Sequence, residues 1–306
     1  VQVLVTGASG AIGAELIPRL AAGGHRVRAF GRDPARITSP DVDEVVRGDA
    51  VTGDGLATAL ADIDVAYFLI HSMETSLDGT FADRDRRAAE RFADAAHAAG
   101  VRRLIYLGGL VPDDAPASPH LASRLEVEER LLTAAPEAVA LRASIVIGAR
   151  SRSFRFLVRL VERVPFLALP AWREHRTAPV DVRDVLTILE RAATSDEVTR
   201  PLSLDIAGPD VVTYAQLTER IRDALLLGRP RLDLPLTLTP VASRVAAAIA
   251  GEDIGLVGPL MGSLTSDLLP RDDGAAAFFD VRMHRLDAAI ERALCDWEAA
   301  EQLAGR

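Results

Sequence analysis

The chain has 306 residues, 49% of them hydrophobic, which supports a large buried core and excludes a disordered polypeptide. Its formal net charge of -9 disfavours nucleic-acid backbones as partners, and it contains no apolar run of about 18 residues to span a bilayer. Cys295 is the only cysteine, so an intrachain disulfide is excluded; with no basic and apolar leader at the start, the expected location is cytoplasmic.

All 35 basic residues are arginine and the chain has no lysine. An arginine-favouring genome is a sufficient cause, but the chemical consequence is independent of it. No Schiff base and no lysine general base can form, because arginine keeps its proton at any working pH.

The chain opens with a strand pattern, Val3–Thr6, that runs into Gly7, Gly10 and Gly13, and a helical pattern over 12–22 follows at once. A strand, a tight turn and a helix N-terminus together make an anion site. Backbone N–H groups converge there, from Gly7, Ser9, Gly10, Ala11, Ile12 and Gly13, and the helix dipole adds roughly half a positive charge. The first glycine permits the turn, the second admits a pyrophosphate to the backbone, and the third lets helix pack on strand. Pro18 falls inside the helix pattern, where it removes one hydrogen bond and is expected to kink the helix without ending it.

Further strands are predicted at Val27–Phe30, Glu44–Val46, Val65–Ile70 and Leu104–Leu107, with helices over 56–61 and 83–99. This alternation predicts an α/β fold of the Rossmann type, a doubly wound parallel sheet covered by helices on both faces. The dinucleotide-binding part is expected over 1–150 and 177–206, with 151–176 and 207–306 forming a smaller substrate-covering region.

After the second strand, Arg32 and Asp33 compete for the adenosine ribose. An acidic residue there suits NAD, and an arginine suits the 2′-phosphate of NADP. Asp33-Pro34 reads as a helix N-cap with proline at the first helical position, which occupies Asp33 and favours NADP(H) over NAD(H). Asp49, followed by Ala50, is placed to reach the adenine amino group or to close a turn. The fourth strand ends in Ile70-His71-Ser72, expected against the pyrophosphate and nicotinamide ribose; His71 there is either a cofactor contact or a structural histidine.

Three stretches, Thr6–Gly13, Tyr67–Met73 and Ile105-Tyr-Leu-Gly-Gly-Leu110, resemble the short-chain dehydrogenase/reductase superfamily, in its extended and atypical NmrA-like branches. His120–Glu128, Leu141–Gly148, Pro179–Val185 and Ile206–Leu217 continue the likeness. The resemblance implies an NAD(P)H-dependent oxidoreductase, and the family includes antibiotic-pathway ketoreductases. It also implies a serine, a tyrosine and a lysine that handle the proton. Here the serine position falls at Gly108-Gly109, and the tyrosine and lysine positions fall at His120 and Arg124. His120 is then either a general acid or a helix-start residue without a proton role. Arg124 can still donate to the nicotinamide ribose. Ser72, Tyr106 and Ser144 are weaker candidates, and Tyr106 is expected to pack in the sheet. A substrate phenol beside the carbonyl would offer a proton route that needs no protein acid. The segment Ala143-Ser144-Ile145 resembles the one whose main chain contacts the nicotinamide carboxamide.

In the back half, Arg173 and His175 either meet substrate or form a solvated face. A short strand is expected in Leu234–Pro240, and Ile254–Leu264 reads as a mobile apolar wall or a core-packed loop. A last helix over Arg285–Leu303 carries Leu286, Ile290, Leu294 and Trp297 at helical spacing. No metal-ligand spacing appears. The expected activity is NADPH-dependent reduction of a ketone on a large apolar, polycyclic aromatic substrate; the alternative is a non-catalytic NADP(H)-binding regulator or assembly factor, and an epimerase or dehydratase fits least.

Overall fold

The computed structural model describes residues 1–70, 81–111, 119–163, 167–169, 171–233, 266–271 and 274–303. His71, Ser72, the expected strand in Leu234–Pro240 and the Ile254–Leu264 segment lie outside them, as does the side chain of His120.

Seven strands form the central sheet. They are β1 (Gln2–Thr6), β2 (Arg26–Gly31), β3 (Glu44–Arg47), β4 (Val65–Phe68), β5 (Arg103–Gly109), β6 (Glu137–Ala143) and, much later in the chain, β11 (Leu202–Ile206). Their order is β11-β6-β5-β4-β1-β2-β3, and each neighbouring pair is parallel. The path therefore runs outward from β1 to β2 and β3, then reverses to β4 on the other side of β1. That reversal opens a crevice at the carboxyl ends of β1 and β4, where dinucleotides bind in sheets of this kind.

The helices that cross over are α1 (Gly13–Ala22), α2 (Leu56–Leu60), α3 (Phe81–Ala98), α4 (Pro119–Leu132) and, further on, α6 (Val182–Thr194). One core lies between the sheet and α1 and α6, and includes Val3, Val5, Leu16, Ile17, Leu20, Ile188 and Leu189. A second lies on the other face, where Leu4, Phe68, Phe92, Leu104, Tyr106 and Leu131 meet. Strands buried on both faces explain the near-continuous apolar runs. The first helix runs through Pro18 without ending, as its pattern suggested.

A third cluster joins α5 (Arg152–Arg163), Trp172, α7 (Tyr214–Ala224) and α9 (Leu286–Glu298). Short strand pairings edge this region: β7 (Val146–Ile147) with β10 (Val180–Asp181), β8 (Leu167–Leu169) with β13 (Arg231–Asp233), and β9 (Arg176–Thr177) with β12 (Val212–Thr213). The short helix α8 (Gly274–Phe278) instead sends Ala275 into the core of the main sheet. In α9 the expected apolar stripe of Leu286, Ile290, Leu294 and Trp297 is buried, but the helix stops at Glu298 rather than Leu303. Beyond it, Glu301 accepts from the Trp297 indole at 3.0 Å and pairs with Arg155 and Arg159 of α5. No helix among the described residues is long and apolar enough to cross a membrane.

All three tyrosines, Tyr67, Tyr106 and Tyr214, are buried, and burial pushes each phenol above its ordinary value. Phenols whose folded value is raised stabilise the fold below the unfolded value of about 10, and this contribution is lost as pH climbs above it. Alkaline titration should therefore show phenolate absorbance appearing together with the loss of circular dichroism. Smooth ionisation near pH 10 in a fully folded protein would contradict the burial (a model-phenol value).

Candidate active site

The glycine turn sits at the carboxyl end of β1, against the end of β4. Gly7 takes φ +66°, and a Cβ there would stand 2.6 Å from the Leu69 carbonyl oxygen. A Cβ on Gly13 would stand 2.3 Å from the carbonyl oxygen of Gly7. Both positions are therefore closed to any side chain, the first by conformation and by approach to β4, the third by the packing of α1 onto the turn. The Gly10 amide donates to the Gly7 carbonyl at 2.8 Å and closes the turn. The amides of Ser9, Ala11 and Ile12 make no backbone bond among the described residues, and Ser9 and Gly10 are exposed. A rim of open N–H groups at a helix N-terminus fits a pyrophosphate.

β4 was expected to reach Ile70 but ends at Phe68. The side chain of buried Thr6 ends it. Its hydroxyl donates to the Tyr67 carbonyl at 2.9 Å and accepts from the Leu69 amide at 3.1 Å, taking the group that would have continued the ladder. The chain from Leu69 to Ile70 is thus pinned beside the glycine turn, which is where the pyrophosphate and ribose readings required it.

At the adenosine end, Arg32 and Asp33 are both exposed. Asp33 caps the 3-10 turn Pro34–Arg36, accepting from the Ala35 amide at 3.1 Å, while Arg32 is exposed just past β2. Asp49 closes a turn: its carboxylate accepts from the Val51 amide at 2.8 Å, and its backbone bridges Asp54. That is the second of its two sequence readings, and it leaves one carboxylate oxygen for an adenine amino group. Ala50 is buried beside it.

Ser144 was expected to contact the cofactor through its main chain, and two of its polar groups have partners within the protein. Its amide donates to the Ile206 carbonyl at 2.9 Å and its hydroxyl pairs with Thr177 at 3.2 Å, so both polar groups are spent on joining β6 to its neighbours. In that segment the Ile145 amide has no partner among the described residues, while its carbonyl accepts from Val180. Arg173 pairs with Glu174, and His175 lies 3.6 Å from Asp267, which agrees with the solvated-face reading.

The proton-handling positions lie at the carboxyl end of β5. Gly108 and Gly109 pair in register with Arg142 and Ala143 of β6. Arg142, Glu128 and Asp205 form a buried charged group that sequence reasoning missed. Arg142 grips the Glu128 carboxylate with bonds of 2.6 and 2.8 Å and lies 3.5 Å from Asp205, and Ser203 donates to Glu128 at 2.6 Å. The one available signal was an arginine set in the otherwise apolar run Ala138–Ala143. The grip sets the height of α4 on the sheet. Arg124 is one helical turn above Glu128 and is brought beside Tyr106; the backbone of His120 begins the same helix one turn higher.

Comparison with known proteins follows this geometry. An NAD(P)H-binding family profile matches residues 7–145. A Streptomyces griseus (4-alkanoyl-5-oxo-2,5-dihydrofuran-3-yl)methyl phosphate reductase is 30% identical over 235 residues, which span 75% of this chain and 75% of that protein. The chain belongs to the atypical, NmrA-like short-chain dehydrogenase/reductases. Another member, the Arabidopsis thaliana NADH dehydrogenase [ubiquinone] 1 alpha subcomplex subunit 9, is 28% identical over 79% of this chain, and the match spans 62% of that protein's length. The UDP-glucuronic acid 4-epimerase of Bacillus cereus, solved with UDP-glucuronic acid and NAD, superposes with a TM-score of 0.71 at 17% identity, covering 97% of this chain and 98% of that one. It shares the fold. The chain is thus an NAD(P)H-binding member of an oxidoreductase family.

Proposed function

We propose that this reductase-family chain uses NADPH to reduce a ketone on a large apolar substrate, polycyclic and aromatic in the manner of polyketides, without the family's tyrosine–lysine relay. The observation that carries the reading is the glycine cradle with its open amides, placed at the crevice where the sheet reverses. Gly7, Ser9, Gly10, Ala11, Ile12 and Gly13 would hold the pyrophosphate, Arg32 the 2′-phosphate, and Asp49 with Ala50 the adenine. The Leu69-Ile70 turn and the Ile145 amide would face the nicotinamide half. Bound there, the dinucleotide supplies a hydride. The protein aligns the carbonyl, excludes water and holds the oxygen on which charge builds. Exposed Arg32 beside an already occupied Asp33 supports NADPH as the partner, and the relative named a reductase supports reduction.

The test follows NADPH oxidation with 1-tetralone, 8-hydroxy-1-tetralone and cyclohexanone. Turnover of the aromatic ketones well above the aliphatic one is expected, and equal turnover of cyclohexanone would count against an aromatic pocket. Arg32→Ala should raise the KM for NADPH by about 10-fold or more, the scale of one charge-assisted contact, and leave that for NADH unchanged. A second reading, a non-catalytic NADP(H)-binding subunit or assembly factor, is favoured by the complex I subunit among its relatives and by the replaced triad. Tight NADPH binding without turnover of any ketone, with a protein partner recovered by pull-down, would establish it instead.

A further inference from the structure

The resemblance places the family's serine at Gly108-Gly109, and the structure shows what fills the space over Gly108. A Cβ built on Gly108 would stand 2.9 Å from the Tyr106 ring and 3.0 Å from its hydroxyl oxygen. The Tyr106 side chain, two residues earlier on the same face of β5, climbs across the glycine and carries its hydroxyl to where a serine side chain would begin. A serine at 108 would require the Tyr106 ring to shift aside.

Tyr106 is 2% exposed, and among the described residues neither its hydroxyl nor the buried Nε–H of Arg124 has a hydrogen-bond partner of good geometry, although the Arg124 guanidinium stands near enough to the phenol to act on it as a donor. Buried polar atoms are seldom left so, and two in one place ask for a shared acceptor. Arg124 lies close enough to act on the acidity of the phenol, opposing the upward push of burial. Its side chain is half-exposed, so the pair is closed on the tyrosine side and open on the arginine side.

We infer that Tyr106 and Arg124 form a two-donor seat for the reactive oxygen of the substrate, with Tyr106 as the proton donor that replaces the family's tyrosine and serine together. This rests on the reduction proposed above. In that step hydride arrives at the carbonyl carbon and the π pair of the C=O bond moves to oxygen. The new alkoxide, a far stronger base than a phenolate, takes the Tyr106 proton. The phenolate is held beside the fixed charge of Arg124 until it regains a proton from water. Arg124 cannot donate a proton and does not need to.

The experiment compares wild type, Tyr106→Phe and Arg124→Met, with thermal melts and NADPH binding confirming that each variant is folded and loaded. With 1-tetralone, Tyr106→Phe should lower kcat by about 100-fold or more, the usual worth of a positioned general acid, with KM nearly unchanged. With 8-hydroxy-1-tetralone the loss should fall below about 10-fold, because the internal phenol supplies the proton in place of Tyr106. Arg124→Met should impair both ketones, and Arg124→Lys should restore part of the rate. Undiminished reduction of 1-tetralone by Tyr106→Phe, or equal losses on both ketones, would overturn the seat and leave the reductase reading standing. If wild type reduces neither ketone, the reductase reading falls and the seat is read by calorimetry of 1-naphthol on the NADP+ complex. Binding weakened about 10-fold by each variant, the scale of one lost hydrogen bond, would uphold it; binding equal in all three proteins, or absent in wild type, would overturn it.

Discussion

Gly13→Ala is expected to abolish dinucleotide binding, raising the Kd for NADPH by about 100-fold or more, or roughly 3 kcal/mol. The added methyl would stand 2.3 Å from the Gly7 carbonyl oxygen and 3.0 Å from the Ala8 Cα, and both are backbone atoms that no rotamer change can remove. Either the turn opens or α1 lifts off β1, and each movement scatters the amides of Ser9, Ala11 and Ile12 that face the pyrophosphate. Fluorescence titration of NADPH gives the affinity. A thermal melt separates the local effect from the overpacking cost of about 1–3 kcal/mol. Wild-type affinity in a folded Gly13→Ala protein would place the pyrophosphate elsewhere.

The largest effect on stability is expected from Arg142→Met. This substitution strands the carboxylates of Glu128 and Asp205, 5% exposed each, without the guanidinium that neutralises them. Breaking a buried pair from one side typically costs about 3–5 kcal/mol, because a charge remains inside without compensation. Adding Glu128→Met to the same chain should recover part of that loss, since two of the three charged partners then leave together. Urea unfolding of the two variants measures the difference. The consequence for chemistry follows from position: Glu128 fixes the height of α4, and Arg124 rides one turn above it. Any Arg142→Met protein that folds should therefore reduce ketones poorly while still binding NADPH. Unchanged turnover would show that the helix is placed by its apolar contacts alone.

Much of the cofactor half was legible in the sequence because its physics is local. A turn at positive φ needs glycine wherever the chain goes next, and Gly7, Gly10 and Gly13 announce strand, turn and helix within eleven residues, Val3–Gly13. Asp33-Pro34 announced a cap, and a cap is what the structure holds. The apolar stripe of the last helix was equally plain, since burial of one face follows from 3.6-residue periodicity. The errors were also physical. Strand β4 was read two residues too long because apolar Leu69 and Ile70 continue its pattern, and only the approach of the Thr6 hydroxyl ends the ladder. The partners of Ser144 were equally invisible, because Thr177 and Ile206, which meet its hydroxyl and its amide, lie far along the chain.

By itself, then, the order of residues determined that a parallel sheet would begin at β1, that a tight glycine turn would follow it, and that no lysine could take part in the chemistry. These follow from backbone sterics, hydrophobic periodicity and side-chain inventory, which need no distant partner. Only the tertiary structure decided that Tyr106 would lean over Gly108, that Arg124 would stand beside it, and that Arg142, Glu128 and Asp205 would be buried as one group. Those are meetings between β5, α4, β6 and β11, and a buried donor becomes a candidate for chemistry only when its surroundings are known to offer it no acceptor.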